Sequence, residues 1–294
     1  MSRAARWAPL LLWLVPALWS SNYVIARAAE GVIAPHLLAF GRWALAGVIL
    51  LPFVWRGLAR DPAAWRGEWK QLLVLGALGM WICGAWVYLG AQTTTSTNIA
   101  LFYAATPVAI VALSARLLHE RMSGQQKLGG ALALAGVLFV VAKGHPEQLL
   151  AVRFTPGDGW LVACAVSWTA YTVLLKYWPS RLGPAERLVC IIAGGLVVLL
   201  PFTLIEAAWT PGPPLGTKAL ALVVVAAVLP GVLSYGAHAY IQRELGASRT
   251  ALMLYLAPVY GALLAWALLG EMPQGYHLGG AALILPSIWL ATRR

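Results

Sequence analysis

Two tryptophans, Trp19 and Trp168, stand 149 residues apart, and each opens a run of side chains able to hold a small amphiphilic ligand. Trp19 is followed by Ser20, Ser21, Asn22 and Tyr23; Trp168 is followed by Thr169, Tyr171 and Thr172. Trp86 and Tyr88 match His238 and Tyr240 at an offset of 152, and Tyr103 matches Tyr255 at the same offset. Tyr235 precedes His238 by one helical turn and shares its face, because residues three apart are neighbours on a helix. Rings with a few hydroxyls, an amide and one imidazole supply stacking and hydrogen bonds, which is binding chemistry. The expected substrate-binding residues are therefore Trp19, Asn22, Trp86, Tyr88, Tyr103, Trp168, Tyr171, Tyr235 and His238. The competing reading is an interfacial aromatic belt with interhelical hydrogen bonds, and the late position of Asn22 in its run favours that reading for Asn22.

Three more residues are expected to be structural or gating. Arg42 is the one formal charge well inside an apolar run, where a charge is costly unless paired, hydrated or near an end. It has two readings: a structural hydrogen bond, or a partner for a substrate carboxylate. Pro107 and Pro258 occupy equivalent places 151 residues apart, and each removes a backbone hydrogen bond from its helix. They are expected hinges.

Catalysis lacks its parts. All ten acidic residues fall in the connections or at the ends of apolar runs. An enzyme within the membrane needs clustered acids, a metal site or a nucleophile with a base. His238 has no acidic partner in its own run. Cys83, Cys164 and Cys190 lie inside apolar runs without metal-ligand spacing. No Walker loop is present, so ATP is not the expected driver. No catalytic residue, metal or cofactor is expected. Movement down a gradient is expected, with His238 as the remaining candidate proton carrier.

The elements that position these residues follow from composition. Hydrophobic residues make up 61% of the 294, charged residues only 11%, and the mean hydropathy is +0.75. A soluble domain carries roughly 25% charged residues, so lipid must be the solvent for much of this surface. Ten apolar runs approach the roughly 20 residues that cross a bilayer. They are Trp7–Ala26, Leu37–Val54, Leu72–Leu89, Asn98–Leu117, Leu128–Ala142, Trp160–Leu175, Leu188–Ile205, Ala219–Tyr240, Ala251–Leu269 and Leu278–Ala291. The first is long for a signal peptide and has no small-x-small cleavage pattern before it ends, so it is expected to stay as a span.

The net charge of +11 sits in short connections and marks membrane topology; no nucleic-acid-reading motif accompanies it. Sixteen of 21 Lys and Arg residues, including Arg3, Arg6, Arg293 and Arg294, fall on the side of the termini. Arg27, Lys143, Arg153 and Lys218 fall on the other side, and Arg42 lies between. The bias places both termini in the cytoplasm.

The two halves repeat each other. Trp19, Pro35 and Leu51-Pro52-Phe53 return as Trp168, Pro184 and Leu200-Pro201-Phe202; Gly79, Gly84 and Tyr88 as Gly231, Gly236 and Tyr240; Glu120 as Glu271; and Leu128-Gly129-Gly130 as Leu278-Gly279-Gly280. Each copy holds five crossings. An odd number turns the second copy upside down, which is the architecture of alternating access around one central site.

The residues also resemble a known family. Trp19-Ser20-Ser21-Asn22, Phe40-Gly41-Arg42-Trp43, Ala105-Thr106-Pro107 with His119-Glu120-Arg121, and Ala257-Pro258 with Gly270-Glu271 resemble two EamA domains of the ten-helix drug/metabolite transporter superfamily. Essentially the whole chain is covered. The aromatic interior is similar to that of YddG-like aromatic amino-acid exporters. The resemblance implies an all-α membrane protein with EamA-like repeats at residues 1–143 and 157–294 joined by 144–156. It implies a multi-pass protein of the cell (inner) membrane, a monomer or weak dimer, exporting small molecules, with neutral amino acids first. Another metabolite or drug (a nucleoside, sugar or cationic compound) is the alternative; a lipid enzyme is a distant one.

Overall fold

The computed structural model describes residues 7–150, 152–210 and 212–292. Arg3, Arg6, Arg293 and Arg294, and the side chain of Tyr23, lie outside what is described. Among the described residues the chain is all helical. The long helices are α1 (Ala8–Ala29), α2 (Pro35–Arg60), α3 (Trp69–Ala91), α4 (Ser96–Leu117), α5 (Gly124–Val141), α6 (Pro156–Tyr177), α7 (Pro184–Trp209), α8 (Thr217–Leu245), α9 (Ala247–Leu268) and α10 (Gly275–Thr292). Among them α1 to α9 are long and apolar enough to cross a bilayer. The tenth expected crossing exists as α10, but Tyr276, His277 and three glycines dilute its first half.

The helices outrun the apolar runs that predicted them. Helix α2 starts at Pro35 and continues to Arg60, beyond the expected Leu37–Val54. Proline at a first turn costs no hydrogen bond, since the early N–H groups are unpaired anyway. Hydropathy marks only the hydrocarbon, whereas the backbone stays helical until a cap ends it. Thr95 caps α4 by accepting from the Asn98 N–H at 3.2 Å, and Ser123 with Gln126 forms a capping box on α5.

Packing pairs the two halves in a regular way. Helix α5 lies along α10 and α2 along α7; α3 packs on α6 and α7, while α8 packs on α1 and α2; α4 meets α6, and α9 meets α1. Each of these contacts between unlike elements has a mate in which each helix is replaced by its repeat equivalent. The α5–α10 seam is close because glycine lets it be: a Cβ on Gly129 would lie 2.6 Å from the Ser287 carbonyl oxygen, and one on Gly280 would overlap Val140. The outward faces are apolar, with Phe53 81% and Val197 67% exposed, as a lipid-facing surface requires. The chain is a multi-pass membrane protein.

Candidate functional site

A cavity of about 670 Å³ enters the bundle from one end, within the roughly 300–1,000 Å³ usual for small-molecule sites. Arg27, Glu30, Gln92, Thr94, Lys143 and His277 ring its mouth, all at or near helix ends or in connections. Pro16, Trp19, Trp168, Pro230, Tyr235 and Pro258 line it deeper. Trp19 and Trp168 stand halfway along helices of 22 residues, which puts the deep wall near mid-membrane.

Helix α3 widens into a π-helix over Ala77–Trp86, and its repeat equivalent α8 does so over Ala227–Leu233. Such bulges re-aim side chains and free backbone groups. The Tyr235 hydroxyl, just past the bulge in α8, donates to the Gly79 carbonyl in the bulge of α3 at 3.2 Å. That bond holds the Tyr235 ring edge-on to Trp19 at 6.0 Å and to Trp168 at 5.6 Å. Trp19 and Trp168 meet edge to face at 5.2 Å and 89°. Edge-to-face pairs are each worth about 0.5–1.5 kcal/mol beyond burial.

Of the residues expected from sequence, Trp19, Asn22, Tyr88, Tyr103, Trp168 and Tyr235 line the cavity, as do Arg42 and Pro258. Trp86, Tyr171, His238 and Pro107 do not line it. Tyr171 stacks on the far side of Trp168 at 5.2 Å and fits against Gly79, where a Cβ would come within 2.9 Å of the ring. His238 is 2% exposed, its ring 5.3 Å from Trp19 and 5.2 Å from Trp168, and its Nδ1 has no hydrogen-bond partner among the described residues. It backs the tryptophans. Trp86 joins Trp81 and Trp160 in a separate aromatic cluster, at 5.2 and 5.0 Å. Pro107 lies in an unbroken α4, whereas Pro258 follows a 3-10 segment, Leu252–Leu256. Tyr276 and His277 also line the cavity; read from sequence they are ordinary interface residues and carry no distinguishing signal.

Arg42, a third of the way along α2, is 3% exposed. A guanidinium deep in a membrane helix costs roughly 2.5–3.5 kcal/mol on insertion scales. Its Nη1 donates to Tyr88 Oη at 3.0 Å and to Asn22 Oδ1 at 3.2 Å, and Tyr88 donates to the same Asn22 oxygen at 2.7 Å. The guanidinium also lies over Trp43, 4.7 Å from the ring centre, a contact worth about 2 kcal/mol when desolvated. Helices α1, α2 and α3 are thereby tied together. The bonds go to side chains and not to helix-end carbonyls.

The carboxylates do other work. Glu206 accepts from the His36 and Leu37 N–H groups at 2.9 and 3.1 Å and caps α2, and Asp158 binds Thr94, Asn98 and Thr155 at the start of α6. At the end of the bundle opposite the cavity mouth, Glu120 accepts from the Ala247 and Ser248 N–H groups at 3.0 and 2.8 Å, and Lys176 lies 2.8 Å from it. Burial by itself raises the Glu120 carboxyl, but the bonds from Lys176, Ser248 and Ala247 outweigh it and hold the group below the usual carboxylate range. This carboxylate pins α4, α6 and α9 together at that end.

The comparisons with known proteins agree over the full length. The EamA-like transporter family matches residues 6–142 and 155–293. An uncharacterized transporter of Archaeoglobus fulgidus is 27% identical over 288 residues, covering 97% of each chain. A probable terminal-alkyne amino-acid exporter of Streptantibioticus cattleyicolor is 28% identical over 291 residues, covering 99% of this chain and 94% of its own. A chain of known crystal structure shares the fold with a TM-score of 0.75 at 22% identity, over 97% of this chain and 96% of that one. Two matched segments spanning both halves leave one conclusion: the chain belongs to the EamA-like transporter family.

Proposed function

We propose that this protein exports small amphiphilic metabolites, with aromatic or other neutral amino acids as its substrates, by alternating access between two inverted five-helix repeats. The repeats are 1–143 and 157–294, joined by 144–156. The Lys and Arg bias puts both termini in the cytoplasm of the cell (inner) membrane, so the cavity faces outward. The observation that carries the reading is the pairing of an aromatic cavity, open at one face and ending near mid-membrane, with a Glu120-sealed opposite end. The aromatic wall suits an apolar substrate body, and the amino-acid class is supported by the name of the Streptantibioticus relative.

Asymmetry between equivalent parts supports the mechanism. Glu120 and Lys176 correspond through the repeat to Glu271 and Arg27. The first pair is close and its side chains are 18% and 36% exposed; the second, at the cavity mouth, is 3.8 Å apart with 58% and 73% exposed. One latch is shut while its twin is loose. The π-bulged helices, the paired prolines and the aromatic wall lie between them. In this reading Tyr171 and His238, expected site residues off the wall, hold the wall in place from behind, while Trp86 braces the separate cluster with Trp81 and Trp160.

The test is uptake of radiolabelled L-phenylalanine into proteoliposomes of the purified protein, with unlabelled amino acids, nucleosides, sugars and amines as competitors. Saturable uptake competed by neutral amino acids is expected. Failure of every amino acid to move or compete overturns the amino-acid reading.

A further inference from the structure

The geometry points to Arg42, with Asn22 beside it, as the anchor for a carboxylate on the substrate, so that the transported compounds are carboxylates and not amines or neutral polyols. This deepens the reading above and rests on it.

The argument is one of unspent hydrogen-bonding capacity. Asn22 Oδ1 accepts from both Arg42 and Tyr88, and Tyr88 Oη accepts from Arg42 while donating to Asn22. The acceptors of this cluster are in use. What remains are donors: among the described residues neither Arg42 Nη2 nor the Asn22 amide nitrogen makes a hydrogen bond, whereas Arg42 Nε is buried away from the cavity. Asn22, Arg42 and Tyr88 all line the cavity. A group that accepts and carries negative charge satisfies such a cluster; an ammonium has no acceptor to offer, and a hydroxyl accepts but supplies no counter-charge.

Charge points the same way. Arg42 forms no ion pair among the described residues, where the ion pairs lie elsewhere. The charged residues lining the cavity are Arg27, Arg42, Lys143 and Glu30, an excess of positive charge. A buried guanidinium without a counter-charge is expensive, and a carboxylate ligand supplies that charge at the free Nη2, with the Asn22 amide as a second donor. A purely structural arginine binding two neighbours would spend no donors toward an open cavity. The aromatic wall is linked to this anchor through Trp43, which meets Tyr235 edge to face at 4.8 Å and lies under the guanidinium. A ligand held at its carboxylate by Arg42 therefore lays its apolar body toward Tyr235, Trp19 and Trp168.

The experiment measures inhibition of L-phenylalanine uptake into proteoliposomes by four compounds: unlabelled L-phenylalanine, L-phenylalaninamide, 3-phenylpropionate and phenethylamine. Wild-type protein is expected to favour the two carboxylates over the amide and the amine by about tenfold or more, as for a charge-assisted hydrogen bond. In Arg42→Gln that preference should fall to near parity. In Arg42→Lys, which keeps the charge and loses the guanidinium's Nη2 donors, carboxylate inhibition should weaken more than amide inhibition, so that the preference shrinks but stays above parity. Equal inhibition by acid and amide in the wild type overturns the inference while leaving amino-acid-class transport standing. An undiminished preference in Arg42→Gln overturns it as well. Should Arg42→Gln fail to reconstitute, Arg42→Lys decides: loss of acid and amide inhibition in equal proportion means a structural role only.

Discussion

Lys176 lies 2.8 Å from Glu120, and the same carboxylate receives the Ala247 and Ser248 N–H groups, so one side chain joins three helices at the end of the bundle opposite the cavity mouth. Gly246 precedes those N–H groups with φ of +89°, and a Cβ there would sit 2.9 Å from the carboxylate. Glycine is what lets the chain bring the start of α9 so near to Glu120.

Removing this charge should loosen the sealed end. In Glu120→Gln, spin labels at positions 125 and 243 in a cysteine-free background are expected to gain a longer-distance population by pulsed electron resonance. Unchanged distances would show that the closure rests on packing alone.

The same latch has a pH sign. Its carboxyl is held below the ordinary range, so its contribution is complete above that range and is lost as pH falls through the lowered value. The label distances should therefore hold from neutral pH to about pH 5, near the upper edge of ordinary carboxylate titration, and shift only in stronger acid.

Transport is expected to follow the substrate gradient without a proton. The cavity wall carries one carboxylate, Glu30, at its mouth, and His238 is sealed behind Trp19 and Trp168. Uptake into proteoliposomes should be insensitive to an imposed pH gradient in the wild type. A steep dependence that survives replacement of His238 would contradict this.

Pro107→Ala should change the rate of flux more than substrate affinity. Pro107 is off the cavity wall in an unbroken α4, while its twin Pro258 lines the cavity beyond a 3-10 break in α9. If the two prolines exchange these local states during transport, restoring the missing backbone bond stiffens one of them. Unchanged flux at normal expression removes the hinge idea.

Gly76→Ala is expected to cost about 1–3 kcal/mol or more, as overpacking does. A Cβ there would overlap the backbone at Gly195 in α7, which cannot move as a side chain end can. Gly124→Ala, with open space around it, should stay within about 0.5 kcal/mol. Thermal unfolding of the purified variants in detergent makes the comparison.

Much of the molecule was legible in its residues. Ten apolar runs were legible because lipid demands them, nine of them long and apolar enough to cross among the described residues, and the repeat is plain because Trp19, Pro107 and Glu120 have twins at nearly constant spacing. Aromatic side chains at mid-helix already marked Trp19, Trp168 and Tyr235 as candidates. Sequence could not say which face of each helix looks inward, because every face of a membrane helix is apolar and the usual amphipathic signal is weak. Only the packing of ten helices decided that Tyr88 faces the cavity while Trp86, two residues earlier, turns to Trp81 and Trp160. It likewise gave Arg42 neutral partners, Asn22 and Tyr88, from two other helices. Those contacts bridge residues 20 and 46 positions apart, and a distance in sequence of that size fixes no distance in space until the helices pack.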